Sequence, residues 1–265
     1  MQVQLEIDGA RIEGGWFGEA TSGPEVIVML HEGLGSLSSW RHFPPKVAET
    51  TGLRVFAYSR VGHGQSSTLA GPRGPDALRV EALDALPKVL DKIGFRKGLL
   101  LGHSDGGSIA TIYAGCIHNQ GVEGIILIEP HFNVEEKNLN AIRAMADAFR
   151  STDLRERLAR HHADVDGMFA AWKGMWLHPD FATFDLSAEL NKVDVPVLYI
   201  KGEDDPYSTN LQVELAEANC PAQVDTVVIR GSGHFPYRND PKATLEAIAA
   251  FSRKVLSTPP RSHAG

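Results

Sequence analysis

Residues 99–107 read Leu-Leu-Leu-Gly-His-Ser-Asp-Gly-Gly. Within this stretch, residues 102–106 fit the pattern G-x-S-x-G, which alone is a weak signal. Its context makes it specific, because a short apolar run precedes it and a segment with helical spacing follows it. A nucleophilic serine on such a strand-to-helix turn needs small residues two positions before and after it, and Gly102 and Gly106 occupy both places. The pattern therefore predicts that Ser104 is a nucleophile.

The neighbouring Asp105 is a rival nucleophile, because dehalogenases and epoxide hydrolases use an aspartate. A nucleophile at position 105 would need a small residue two positions earlier, where this chain has His103. Ser104 therefore remains the predicted nucleophile. We expect Asp105 to contribute its main-chain amide instead. That amide lies at the start of the next helix, where it would bind the negative charge that develops on a substrate oxygen.

Outside this turn, apolar runs typical of buried strands alternate with segments of helical spacing. The apolar runs lack polar alternation, as expected for parallel strands covered on both faces. They are residues 26–30, 54–58, 98–101, 124–128, 195–200 and 224–229; the helical segments are 77–93, 108–118 and 242–255. Before them, the strand-like runs 2–7 and 11–16 flank Asp8-Gly9, a strong hairpin signal. The sequence thus predicts an α/β protein whose mostly parallel, twisted sheet begins with an antiparallel hairpin.

One segment, residues 131–193, interrupts this alternation. It has helical spacing with bulky apolar members and no convincing strand, and it is too long for a simple connection. We predict that it forms a helical cap over the carboxyl edge of the sheet, where ligands bind in open α/β sheets. The sheet core would then comprise residues 1–130 and 194–258, with 259–265 as a C-terminal tail.

Charge and composition narrow the possible partners. The chain has 26 Lys and Arg against 33 Asp and Glu, a formal net charge of −7, which argues against nucleic acid. We find neither a signal peptide nor an apolar run long enough to span a membrane. The two cysteines lie outside any ligand array. No nucleotide-binding glycine motif occurs. We expect a cytoplasmic protein with a small-molecule substrate, without metal or cofactor; the oligomeric state is left open.

A serine nucleophile needs a histidine base and a carboxylate that orients it. Of the eleven histidines, His234 lies on a glycine-rich loop after the last predicted strand and before the final helix. In the fold built on this turn, the chain order is serine, acid, histidine. Asp205, just after the run 195–200, fits that order. Asp204 is the near alternative, and Glu129, one strand earlier, is a further competitor.

Five segments together resemble the α/β-hydrolase superfamily over nearly the whole chain, including its helical cap. They are His31-Glu32-Gly33-Leu34-Gly35-Ser36, the run from Tyr58 to Ser66, the turn at Ser104, Gly202-Glu203-Asp204-Asp205, and Gly233-His234-Phe235. The resemblance implies that Gly33 supplies the second oxyanion-binding amide beside that of Asp105. It also implies a carboxylesterase-like serine hydrolase acting on an ester, thioester, lactone or amide through an acyl-enzyme.

Two further functions use the same fold: hydrolysis of carbon–carbon bonds in ring-cleavage products, and ligand binding without turnover. Four residues of the predicted cap are candidates for substrate contact. Phe132, Trp172 and Trp176, together with Phe169, favour a partly apolar acyl group. His131, at the start of the cap, is a candidate contact for a polar group of the substrate.

Glu32 departs from the family pattern, in which a glycine is usual at its position. A carboxylate that faced an oxyanion would raise the barrier to reaction. We therefore expect Glu32 to point away or to be neutralised, with Arg60 as its candidate ion-pair partner, and we include Glu32 among the candidate substrate contacts.

Overall fold

The computed structural model describes residues 1–19, 23–118 and 120–257. Its centre is one eight-stranded sheet of order β1-β2-β4-β3-β5-β6-β7-β8. The strands are β1 (Gln2–Ile7), β2 (Ala10–Phe17), β3 (Glu25–Leu30), β4 (Arg54–Tyr58), β5 (Lys97–His103), β6 (Val122–Ile128), β7 (Val197–Gly202) and β8 (Val224–Ile229). The predicted fold class is confirmed: β1 and β2 form an antiparallel hairpin, β2 pairs antiparallel with β4, and every later pairing is parallel.

Helices cover both faces of this sheet, and their apolar sides form two buried clusters with the strands. The helices are α1 (Phe43–Thr51), α2 (Ala77–Val80), α3 (Leu86–Lys92), α4 (Asp105–Cys116), α5 (Glu136–Ser151), α6 (Leu154–Ala159), α7 (Val165–Trp176), α8 (Ser187–Leu190), α9 (Leu211–Asn219), α10 (Pro236–Asn239) and α11 (Pro241–Leu256). Among the described residues, none of these helices is both long and apolar enough to cross a bilayer.

Two helix predictions differ from the structure in their bounds. Segment 77–93 is not one regular helix, because a π-helical turn at Glu81–Ala85 separates α2 from α3. Pro87 follows this turn, and a proline has no amide hydrogen and clashes with the carbonyl four residues earlier, which a wider turn accommodates. Helix α4 begins at Asp105, earlier than predicted, so that Ser104 lies directly at its N-terminus.

Between β6 and β7, the chain forms α5–α8 and a short 3₁₀ turn, Pro179–Thr183, but contributes no strand to the sheet. This insertion contacts the carboxyl edge of the sheet through His162, whose Nε2 lies 3.0 Å from the carbonyl oxygen of Leu34. Trp176, at the end of α7, donates to the carboxylate of Asp105. The insertion and the sheet edge therefore enclose a space around Ser104. The predicted tail, 259–265, lies outside the described residues.

Candidate active site

Ser104 occupies the sharp turn between β5 and α4 with a φ of 52°. A positive φ is uncommon for a residue other than glycine, and it is the strained geometry that a nucleophile turn requires. The turn closes only because its flanking residues have no side chain. A Cβ on Gly102 would collide with the carbonyl of Gly106, and a Cβ on Gly106 would collide with the carbonyl of Leu30.

The structure brings the predicted base and acid together. His234 Nδ1 lies 3.0 Å from Asp205 Oδ1, and both side chains are buried. Asp205 also accepts hydrogen bonds from the amide of Tyr207 at 2.9 Å and from Ser208 Oγ at 2.7 Å. Although burial of Asp205 opposes ionisation, the hydrogen bond and charge of His234 lower the pKa of its carboxyl below the usual value. Asp205 is therefore an ionised partner for His234.

The alternative acids have other environments. Asp204 is exposed, and its amide bonds to the carbonyl of Ser232. Glu129 is fully buried and lies 3.4 Å from Lys201 Nζ and 3.1 Å from Ser208 Oγ, the hydroxyl that also bonds Asp205. Burial and the adjacent charge of Asp205 raise the pKa of Glu129 well above its usual value. Glu129 thus lies in the same buried hydrogen-bond network as Asp205 and makes no hydrogen bond to His234.

His103, the residue before Ser104, anchors the loop that carries the base. Its Nε2 donates to the main-chain carbonyl of His234 at 2.7 Å, and Tyr237 lies 3.3 Å from its Nδ1. Burial lowers the pKa of His103 well below its usual value, so the ring is neutral and can donate from one nitrogen while accepting at the other.

Buried side chains fix the main chain of the loop 31–36. Arg60 donates to the carbonyls of His31 and Glu32 at 2.5 and 3.2 Å, and His63 Nε2 lies 3.0 Å from the carbonyl of Gly33. Carbonyl and amide of a trans peptide point in opposite directions, so the N–H of Gly33 faces away from Arg60. A Cβ on Gly33 would collide with the Trp172 indole and the Asp105 carboxylate, which places this glycine directly beside the nucleophile turn.

The predicted ion pair between Glu32 and Arg60 is wrong. Arg60 contacts the main-chain carbonyl of Glu32 and makes no ion pair with its carboxylate. Glu32 Oε2 is buried against Gly35 and has no hydrogen-bond partner. Burial raises the pKa of Glu32 to about 7, against the opposing charges of Arg238, Arg60 and His234. The carboxyl is therefore only partly ionised at neutral pH, and it has no ion-pair partner among the described residues.

This pKa predicts how stability depends on pH. The usual value is 4.5, so between about pH 4.5 and 7 the folded protein retains a proton that the unfolded chain has lost, and stability falls as pH rises through that window. Glutamine does not titrate, so the Glu32→Gln variant lacks this fall in stability with rising pH. We expect the difference in unfolding free energy, variant minus wild type, to be larger at pH 8 than at pH 5 by about 2 kcal/mol. Urea denaturation at both pH values measures it, and a pH-independent difference would contradict the assignment.

A cavity of about 80 Å³ lies between the turn, the loop 31–36 and the helical insertion. Of the predicted site residues, it is lined by Ser104, Asp105, His234, Gly33, Glu32, His131, Trp172 and Trp176. Asp205 is not in the lining because it lies behind His234. The prediction for Phe132 is wrong: its ring packs in the core beside Tyr199 at 6.2 Å, and it does not line this cavity.

Sequence reasoning missed six lining residues: Leu34, Asn138, Ile142, Met145, Tyr207 and Phe235. Asn138 carried a readable signal. It shares one side of α5 with Ile142 and Met145 at helical spacing of four and three residues, so it is a polar residue on an apolar face. Tyr207 lies two residues after the acid and Phe235 one residue after the base, but no periodic pattern marks which way a loop side chain points.

Residues 27–247 match the model of the alpha/beta hydrolase family. The chain belongs to this family. Among curated relatives it is 28% identical over 155 residues to a proline iminopeptidase of Lactobacillus helveticus, covering 57% of this chain and 50% of that one. It is 29% identical over 151 residues to epoxide hydrolase 4 of Mus musculus, covering 57% and 40%. The chain thus spans about half the length, or less, of these relatives.

Solved structures extend the likeness to the whole fold. A bacterial membrane phospholipase A superposes with a TM-score of 0.78 at 18% identity, covering 97% of this chain and 87% of that one. The enol-lactonase of Burkholderia xenovorans LB400 superposes with a TM-score of 0.72 at 22% identity, covering 94% and 99%. At these identities the likeness concerns the fold, and the chemistry has to be argued from the site.

Proposed function

We propose that this protein is a serine hydrolase that cleaves a small ester, or a related thioester, lactone or amide, through an acyl-enzyme on Ser104. One observation carries the proposal. Ser104 on its strained turn and His234, held 3.0 Å from Asp205, line the same cavity. A nucleophile, a base and a carboxylate that orients the base are the minimum set for acyl transfer.

The steps follow from these positions. Because Nδ1 of His234 is committed to Asp205, Nε2 is the nitrogen that takes the Ser104 proton while Oγ attacks the substrate carbonyl. The N–H groups of Gly33 and Asp105 would bind the resulting oxyanion. When the tetrahedral intermediate collapses, the bond to the leaving group breaks and Nε2 returns the proton to it. Water, deprotonated by the same nitrogen, then releases the acid and restores Ser104.

The cavity limits the acyl group. Its volume of about 80 Å³ is well below the roughly 300–1,000 Å³ of pockets that hold drug-sized ligands. Apolar lining from Trp172, Trp176, Ile142 and Met145 suits a short acyl chain. Hydrolysis of p-nitrophenyl acetate, butyrate and octanoate tests this: we propose that activity falls as the chain lengthens.

The relative named epoxide hydrolase raises a second candidate chemistry, in which Asp105 would be the nucleophile. Two observations disfavour it. Ser104, not Asp105, has the positive φ of the turn, and Asp105 is the first residue of α4, with one carboxylate oxygen 3.2 Å from the Trp176 indole nitrogen. Hydrolysis of a small epoxide such as styrene oxide, retained in Ser104→Ala and lost in Asp105→Asn, would favour the epoxide reading.

A further inference from the structure

Three side-chain atoms at this cavity lack a hydrogen-bond partner. They are Glu32 Oε2, His131 Nδ1 and Asn138 Oδ1, and all three residues line the cavity. His131 and Asn138 are each only 1% exposed, so bulk water does not satisfy them. Burial lowers the pKa of His131 to about 4, which keeps its ring neutral and able to accept. A buried polar atom without a partner is costly, so these atoms indicate a ligand that donates hydrogen bonds.

The charged groups at the cavity have one sign. Glu32 and Asp105 contribute carboxyls, whereas no Lys or Arg is among the described residues that line it. The nearest arginines have other partners. Arg60 bonds the main chain beneath the loop, and Arg238 stacks 4.2 Å over Phe235 and donates to a main-chain carbonyl. The cavity therefore presents acids without a cation of its own.

Such a cavity is least suited to an anionic acyl group. Negative charge develops on the substrate oxygen during attack, and carboxylates beside it would raise the barrier in a site that excludes water. A positive charge on the substrate would offset them. The faces of aromatic rings attract cations through their electron density. Four aromatic residues also line this cavity: Trp172, Trp176, Tyr207 and Phe235.

We infer, on the basis of the proposed hydrolase function, that the substrate's small acyl group carries an ammonium, which is bound by Glu32 and Asp105. An ammonium has three donors and no acceptor, which matches the unpartnered acceptors at this cavity. With two hydrogens bound by the carboxyls, the third goes to Asn138 or His131, at the wall formed by the helical insertion. Glu32, which replaces the glycine usual in the family, is on this account a specificity-determining residue.

The test compares substrates that are matched in size and differ in charge. Because an ammonium withdraws electrons and makes an ester more reactive, each kcat/KM is divided by the rate constant for hydroxide-catalysed hydrolysis of the same ester. Ethyl esters of glycine and β-alanine are matched to ethyl propionate and ethyl butyrate, in which a methyl replaces the ammonium, and monoethyl malonate supplies the anionic case. At pH 7, we expect kcat/KM for the better ammonium ester to exceed that of its neutral counterpart by roughly 10- to 100-fold, the effect of one charged hydrogen bond. The malonate ester is expected to be the poorest substrate.

Two variants assign the effect to the carboxyls. Glu32→Gln keeps the shape and removes the charge; we expect it to lower the ammonium preference about tenfold or more and to raise kcat/KM for the neutral ester. Asp105→Asn tests the second carboxyl independently and keeps the proposal testable if Glu32→Gln does not fold. Glu136→Gln is the matched control, because this carboxyl on α5 is exposed and pairs with Arg143 outside the cavity. It should leave the preference unchanged.

Failure of the inference is distinguishable from failure of the proposed function. If p-nitrophenyl acetate is hydrolysed in a Ser104-dependent way but ammonium and neutral esters react equally, the inference is overturned and the hydrolase proposal stands. If the preference exists but survives both carboxyl variants, the assignment to Glu32 and Asp105 is overturned. If no ester, charged or neutral, is hydrolysed, both proposals fall together.

Discussion

Ser104→Ala is expected to lower kcat for p-nitrophenyl acetate by roughly 10⁴-fold or more, without a loss of stability. The hydroxyl is the proposed attacking group, so its removal leaves only the catalysis that an oxyanion-binding site and substrate binding supply. The fold should tolerate the change because alanine, like serine, has a Cβ, and the turn already accommodates a Cβ at a φ of 52°. Steady-state assays measure the loss.

The control for this variant is its urea unfolding curve, which should coincide with that of wild type. A variant that unfolds normally and retains activity within about tenfold of wild type would exclude Ser104 as the nucleophile. The proposal would then pass to Asp105, the adjacent carboxylate, and the substrate class would have to be reconsidered.

Asp205→Asn is expected to lower kcat by about 10⁴-fold, whereas Glu129→Gln should cost less than about tenfold. Asparagine has no charge, and its amide can donate to Nδ1 of His234 as well as accept from it, so it no longer stabilises the imidazolium or the required tautomer. Glu129 shares the Ser208 hydroxyl with Asp205 and does not orient His234, and glutamine retains an oxygen that can accept from the amide of Gly202. Parallel kinetics of the two variants measure both effects.

These two variants are matched, since each replaces a buried carboxylate by its amide at nearly constant volume. The reverse ranking, with a severe Glu129→Gln and a mild Asp205→Asn, would assign the acid to the end of β6 and contradict the present choice. Equal, severe losses accompanied by unfolding at lower urea concentration would indicate that the buried network serves stability.

The elements of the site nearest the turn could be predicted because their determinants are local. Ser104 required glycines two positions away and a strand and helix on either side, all visible within the segment 98–118. His234 was predicted from a glycine-rich loop after the last strand, and its contact with Asp205 agrees with the expected chain order. The mostly parallel sheet could be predicted because its strands are continuous apolar runs. Such runs do not alternate between polar and apolar residues when both faces of the sheet are buried.

What could not be predicted depends on contacts between distant segments. Phe132 and Trp176 look alike in sequence, as aromatic residues of the helical insertion, but only Trp176 reaches the cavity, where it bonds Asp105. The expected partner of Glu32 was wrong for the same reason. The Arg60 guanidinium donates to the main-chain carbonyls of His31 and Glu32 and not to the Glu32 carboxylate. Pairing of side chains across elements is set by packing geometry, which spacing along the chain does not encode.

Labelling with a fluorophosphonate probe, followed by peptide mapping, tests whether Ser104 is the nucleophile. This reagent forms a covalent bond with an activated serine, so it tests the nucleophile without knowledge of the substrate. We expect stoichiometric label on the peptide that contains Ser104, and loss of label in both Ser104→Ala and His234→Ala. Label on another residue, or no label on a folded protein that hydrolyses its substrate, would contradict it.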